Sequence, residues 1–209
     1  MRAIRLSEDV KRSIYVFVTA MLIVWILVYL SFAPAPKDRF FQLYALGESR
    51  MLEKYYPNDN PNIPVGKPVK WFIGVQSFMG RAECVLVRVK LGNETLPCPD
   101  SLNCTPAPVP TILEFRRVLM DNETWESPLF WSITNITRQD DTIHITLTVN
   151  DITVECPNVG AVHGYNFRLI FEIWTLNEET GKFVFGWTSQ GERRCAWIQL
   201  WFNATDARY

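Results

Sequence analysis

Two histidines, five cysteines and a few paired charges are the residues in this chain whose types could carry chemistry. His144 and His163 show no HxH or HExxH spacing, and no CxxC accompanies them, so no metal site is expected. A blue-copper centre needs two His, one Cys and an axial Met, with His and Met close behind the late Cys. Cys195 is followed instead by Ala-Trp-Ile-Gln-Leu-Trp. Residues 186–191, GWTSQG, lack the G-x-S-x-G of a nucleophile elbow, and neither a phosphate loop nor G-x-G-x-x-G occurs. Asp140-Asp141 and Glu178-Glu179 sit in turn-like stretches, where solvated charge is the default. An enzyme would need groups such as Glu172, His163 or Arg193 to converge in a pocket. No residue is assigned a catalytic role, and neither enzyme activity nor a cofactor is expected.

The remaining chemistry is modification and docking. Cys98 and Cys104 bracket PDSLN in a Pro-rich loop, a spacing suited to a local disulfide. Cys84, Cys156 and Cys195 leave room for one more bridge, Cys84–Cys195 or Cys156–Cys195, and one spare thiol. Asn-X-Ser/Thr occurs at Asn93, Asn103, Asn122, Asn135 and Asn203, a density that points to an exported, glycosylated surface. A glycan on Asn103 would compete sterically with a Cys98–Cys104 bridge. Glu192-Arg193-Arg194 either clamps an anionic group or forms a polar turn. In the last apolar run, an inward Ile198, Leu200 and Phe202 would turn Trp197 and Trp201 outward, flanking Gln199. Those tryptophans either dock a partner, since Trp is enriched in interface hot spots, or pack under a loop.

The elements that would position these residues follow from hydrophobic period. Ile14–Phe32 carries no charge, Gly or Pro, and at 1.5 Å per residue spans about 28 Å, the thickness of a bilayer's hydrocarbon. It is expected to be a retained transmembrane helix, because the apolar stretch is longer than a signal-peptide core and residues 33–36, APAP, put prolines at the cleavage position. Arg2, Arg5, Lys11 and Arg12 outnumber Glu8 and Asp9, which keeps residues 1–13 cytoplasmic and everything after a 33–39 linker outside. Beyond it, FFQLYAL at 40–46 reads as a strand or a short amphipathic helix, and 55–68 as a turn-rich connection. Period-two alternation over Val69–Gln76, Val85–Leu91, Ile143–Val149 and Tyr165–Trp174 predicts strands. LNEETGK at 176–182 is a hairpin turn into Phe183–Trp187. Short strands between Gly/Pro/Asn turns imply an antiparallel sandwich or barrel, one domain over 40–205 with a 206–209 tail. Hydrophobic residues at 48% and eight Trp can fill its core, and a net charge of −1 argues against nucleic acid.

Within this pattern, Phe40, Tyr44, Leu46, Gly47, Tyr56, Pro57, Val65, Gly66, Gly74 and Val75 resemble the extracytoplasmic module of an archaeal membrane-protein family of unknown function. Gln76-Ser77 replaces that family's usual Asn, and relatives often have several membrane helices. The resemblance covers residues 40–91 best and implies an all-β, immunoglobulin-like antiparallel sandwich that binds or scaffolds. The chain is therefore expected to be a non-catalytic accessory or structural subunit of a hetero-oligomeric membrane or envelope complex. An oligosaccharyltransferase, translocon, respiratory or surface-layer assembly would each suit, with lipid bilayer and N-linked glycans as further partners. The alternative is a tethered binding module for a small molecule or glycan, with Trp71, Trp125, Trp131, Trp197 and Trp201 stacking on sugar rings.

Overall fold

The computed structural model describes residues 7–32 and 38–205, in two units that are taken separately. Arg2, Arg5, residues 33–37 of the predicted linker and the 206–209 tail lie outside the described residues.

Among its described residues the first unit holds one helix, α1 (Glu8–Phe32). It starts at Glu8 rather than at the predicted Ile14, because Ser7 caps it. The Val10 N–H donates to Ser7 Oγ at 3.4 Å and the Lys11 N–H to Ser7 O at 3.1 Å. Glu8 and Asp9 in the first turn favour the positive end of the helix dipole. Within Glu8–Ser31 an 18-residue window reaches a mean hydropathy of 2.4, and apolar side chains stand exposed on every side of the helix. A helix apolar all round needs a non-aqueous surround, and this one is long enough to cross a bilayer.

The second unit is built from thirteen strands. In chain order they are β1 (Phe40–Leu46), β2 (Asn62–Pro64), β3 (Val69–Phe78), β4 (Glu83–Asn93), β5 (Thr111–Leu119), β6 (Thr124–Gln139) and β7 (Thr142–Val149). There follow β8 (Ile152–Val162), β9 (Phe167–Asn177), β10 (Lys182–Phe185), β11 (Trp187–Ser189), β12 (Glu192–Arg194) and β13 (Trp197–Thr205). One antiparallel sheet runs β1-β3-β6-β7-β8. The second runs β2-β13-β9-β4-β5, with β10 on the end of β9 and β2 alone parallel to its neighbour, while β11 and β12 form a separate hairpin.

Alternation along the strands sends one set of side chains between the two sheets. Val69, Trp71, Ile73 and Val75 from β3 and Val85, Val87, Val89 and Leu91 from β4 are fully buried in one cluster. Trp71 and Trp131 of the first sheet meet Phe171 and Phe202 of the second, with centroids 6.3 Å and 4.8 Å apart. Such contacts close the interior with aromatic edges and faces. Phe40–Leu46 is a strand, paired residue for residue with β3, so Tyr44 faces Gly74. A Cβ on Gly74 would stand 2.1 Å from the Tyr44 ring, and that ring occupies the missing side chain's place. Burial pushes the Tyr44 hydroxyl up to about 12, aided by its bond to Glu126 Oε1 at 3.0 Å.

Period-two reading passed over β5, β6 and β8, and in β6 and β8 the reason is physical. β6 contains Pro128, but β7 pairs only from Trp131 onward, so Pro128 has a partner on one side and no ladder bond is lost on the other. A register shift near Thr134 then scrambles the alternation. In β8 a second shift bulges out the stretch that holds Pro157. The predicted strand over 183–187 breaks at Gly186, whose φ is +79°, and β9 begins at Phe167 because His163, Gly164 and Asn166 turn with positive φ.

Candidate functional site

The outward face of the six-stranded sheet carries side chains of a kind not found on its inward face. Across one row of the register, Trp197 of β13 faces Glu172 of β9, Glu172 faces Arg88 of β4, and Arg88 faces Glu114 of β5. One row along stand Gln199, Ile170 and Lys90, and beyond them Trp201, Arg168 and Gly92. Opposite charges on facing strands attract, and the aromatic rings extend the stack. Arg88 lies 3.8 Å over the Trp174 ring and Arg168 lies 4.9 Å over Trp201. Burial raises Glu114, but the hydrogen bonds from Arg116 and Arg88 outweigh it and leave the carboxyl below its ordinary value.

A Pro-rich flap, residues 94–110 between β4 and β5, folds down over this face. Lys90 and Glu172, with side chains 5% and 0% exposed, hold it from beneath. Lys90 Nζ donates to Ala107 O at 2.7 Å and lies 3.0 Å from Glu172 Oε2. Glu172 accepts the Ala107 N–H at 2.7 Å and the Trp174 indole N–H at 2.9 Å. The pair thus satisfies both backbone groups of Ala107 as well as each other, which a buried ion pair requires. Arg168 donates to Leu96 O and, at 2.9 Å, to Gln199 Oε1, while the Trp197 indole N–H donates to Ser101 Oγ at 2.9 Å. Ala107 and Val109 bury Ile170, with Leu96 and Trp197 packed against them.

The expected parity of the last strand holds. Phe202 is in the core with Ile198 and Leu200 packed against it, and Trp197, Gln199 and Trp201 face outward. The flap divides the outward set: Trp197 and Gln199 are half-buried under it, and Trp201 stays 37% exposed. Arg193 and Arg194 lie apart, in the β11–β12 hairpin. Arg193 donates to Phe185 O at 2.8 Å and Arg194 faces Glu192 at 3.5 Å, the geometry of a polar turn rather than an anion clamp. Trp71 and Trp131 belong to the core, and Trp125 packs against it, so the five tryptophans do not form one sugar platform. Glu172 is enclosed by structural donors, and His163 sits in an exposed turn with its N–H on Asp141 O. No group of three or more His, Cys, Asp or Glu stands close enough to hold a metal among the described residues.

All five cysteines are free thiols. Cys98 is exposed on the flap, Cys104 is buried, and Cys104 and Cys195 share the carbonyl of Ser101, each sulfur 3.9 Å from it. Among the sequons, Asn103, Asn122 and Asn135 are exposed, Asn203 is half-buried on Asn62 and Asn166, and Asn93 is buried. Asn93 Nδ2 donates to Gly160 O, and its Oδ1 accepts from Thr95 and Leu96, turning the chain out of β4 into the flap.

A separate open cleft of about 880 Å³ lies among Tyr55, Tyr56, Phe130, Lys54, Lys67 and Lys70. Tyr56 donates its hydroxyl to Trp201 O, and burial pushes that hydroxyl well above the ordinary tyrosine range. Sequence reasoning missed Lys90, and named Glu172 only as a group an enzyme pocket would need, not as its ion-pair partner. Their signal was a Lys and a Glu inside otherwise apolar strand faces, which only strand register makes a pair. No protein-family model and no curated protein matches this chain.

Proposed function

We propose that this chain is a non-catalytic accessory or structural subunit of a larger membrane or envelope complex, held by α1 and docked through the outward face of the six-stranded sheet. The observation that carries this is the aromatic and cationic edge beside the flap. Trp201 lies exposed under Arg168, and Leu102 at the flap's tip is 94% exposed. Tryptophan and arginine on rigid strands are what a partner protein uses as an anchor. The apolar run of α1 from Ile14 onward adds a second surface, for lipid or partner helices. In this reading α1 is retained with its basic N-terminus cytoplasmic, the two sheets form an immunoglobulin-like sandwich outside, and the resemblance to archaeal envelope modules supplies the host class. Purification in mild detergent from native membranes, with mass spectrometry, tests it. A stoichiometric partner should persist through size exclusion, and Trp201→Ala should weaken its capture by about thirtyfold or more, as for a hot spot. A monodisperse chain without partner sinks the proposal.

The sequons give an independent prediction under the same reading. Glycopeptide mapping of the exported chain should find glycans on Asn122 and Asn135 and none on Asn93, whose amide nitrogen is buried and donating. Asn93→Ala should cost about 1–3 kcal/mol, because the Gly160 carbonyl and the Thr95 and Leu96 N–H groups lose their partner. Denaturant titration reads that loss, and a glycan found on Asn93 would oppose the assignment.

A second reading is favoured by the cleft alone. Tyr55 and Phe130 beside Lys54, Lys67 and Lys70, which outnumber Glu48 and Asp59 in the lining, suit an anionic glycan or small acid. Calorimetric titration with acidic oligosaccharides would favour it if binding weakens in Lys54→Ala and Lys67→Ala.

A further inference from the structure

The flap and the segment entering β13 meet at two sulfur atoms. Cys104 Sγ lies 3.9 Å from Ser101 O. Cys195 Sγ lies 3.9 Å from that same oxygen and 3.9 Å from Asp100 O. Both sulfurs thus stand on one carbonyl oxygen, that of Ser101, which makes them neighbours. Around them the flap is tied to the sheet by Arg168 on Leu96, Trp197 on Ser101, and Lys90 and Glu172 on Ala107. The chain segments involved are far apart in sequence, and the native fold alone brings them together.

We propose that Cys104 and Cys195 are joined by a disulfide that latches the flap onto the entry to β13 when the domain matures in an oxidising compartment. This rests on the exported topology proposed above. The oxidant is a disulfide donor, either glutathione disulfide or the active-site disulfide of a thiol oxidase. One protein thiolate attacks the donor's S–S bond, forming a mixed disulfide and releasing one donor thiol. The second protein thiolate then displaces the other donor thiol, so two protein thiols are oxidised and one donor disulfide is reduced to two thiols.

Geometry also sets when this happens. Burial pushes the Cys195 thiol up to about 12, and the neighbouring Cys104 adds to the rise. The attacking thiolate is therefore scarce once the flap has closed, and exchange runs while the flap is still open, during folding. Once made, the bond is shielded from reductants because Cys104 is buried. Cys98, exposed on the same flap, is left as a thiol that such a latch does not use.

The test is disulfide mapping of the full chain in detergent, refolded in a glutathione redox buffer, alkylated without reduction, and cleaved before Asp100 and after Arg194. Cleavage before Asp100 separates Cys98 from Cys104. The expected result is a linked pair of peptides carrying Cys104 and Cys195, lighter by two hydrogens than the separate thiols and lost on reduction, with Cys98 alkylated. Reduction should also raise hydrogen exchange of the flap amides by about tenfold or more, while β4 core amides stay protected. A Cys98–Cys104 link, or alkylation of both Cys104 and Cys195, overturns the pairing. Cys98→Ser should leave the Cys104–Cys195 link intact, and its loss in that variant also counts against the latch. A link formed in the buffer yet missing from protein drawn from its own cells upholds the pairing and overturns the exported topology instead.

Discussion

Lys90→Met should lower the stability of the β domain by about 3–5 kcal/mol, the cost of leaving a buried charge without its partner. Methionine keeps the length and apolar volume of the lysine stem, so no cavity opens and the loss reports charge. Glu172 would remain with no exposed surface, and its nearest other cation in the register, Arg88, is already engaged by Glu114 at 2.8 Å. Ala107 O would lose its donor at the same time. The remedy identifies the cause: adding Glu172→Gln removes the orphaned charge, and the double variant should recover a large part of the loss, because a neutral amide can still accept the Ala107 N–H. Urea titrations with an unchanged slope would measure both. If Lys90→Met falls within about 0.5 kcal/mol of the parent, as ordinary surface changes do, the pair is not what holds the flap.

How much of this was legible in the sequence depends on which contacts decide each feature. The strands with clean alternation, β3, β4, β7 and β9, could be read because their inward side chains all enter one core. The outward faces of β4 and β9 could not. Ile170 and Glu172 alternate with the core positions and so promise exposure, yet both are buried, because a Pro-rich loop that looked merely irregular returns over them. Trp197 and Trp201 were legible as outward by parity, but what separates them is the flap's reach, a tertiary fact. Cys98 and Cys104 show the same limit from the other side. Short spacing suggests a local bridge, whereas the fold sets Cys104 against a residue from the far end of the chain. Asn93 read as a glycan acceptor from its sequon, and its burial follows from a hydrogen bond to Gly160 on another strand. Local pattern therefore reached the cleanly alternating strands and their facing, and the site is made by returns of chain that leave no period.

Gly186→Ala should cost about 3 kcal/mol or more and disturb the Cys195 end of the flap contact, and a second glycine shows why. Both Gly186, at φ +79°, and Gly181, at φ +65°, occupy the left-handed region, where an L-residue costs roughly 1–2 kcal/mol. At Gly181 an added Cβ meets nothing within 4 Å, so Gly181→Ala should show that conformational cost alone. At Gly186 the same atom would stand 2.1 Å from Arg194 O and 2.9 Å from the Cys195 Cβ. Backbone cannot rotate away as a side chain can, and overpacking of this kind adds about 1–3 kcal/mol. Nor can Gly186 itself shift freely: its N–H donates to Ile173 O at 2.9 Å and its carbonyl accepts Thr175 Oγ1 at 2.6 Å. The displacement therefore falls on residues 194–195, which carry one half of the sulfur pair. Thermal melts of the two variants should separate them clearly, and disulfide mapping should find less Cys104–Cys195 link in Gly186→Ala than in Gly181→Ala. Equal losses would mean that Gly186 serves only its positive φ, and that the close approach of Arg194 and Cys195 does not fix the entry to β13.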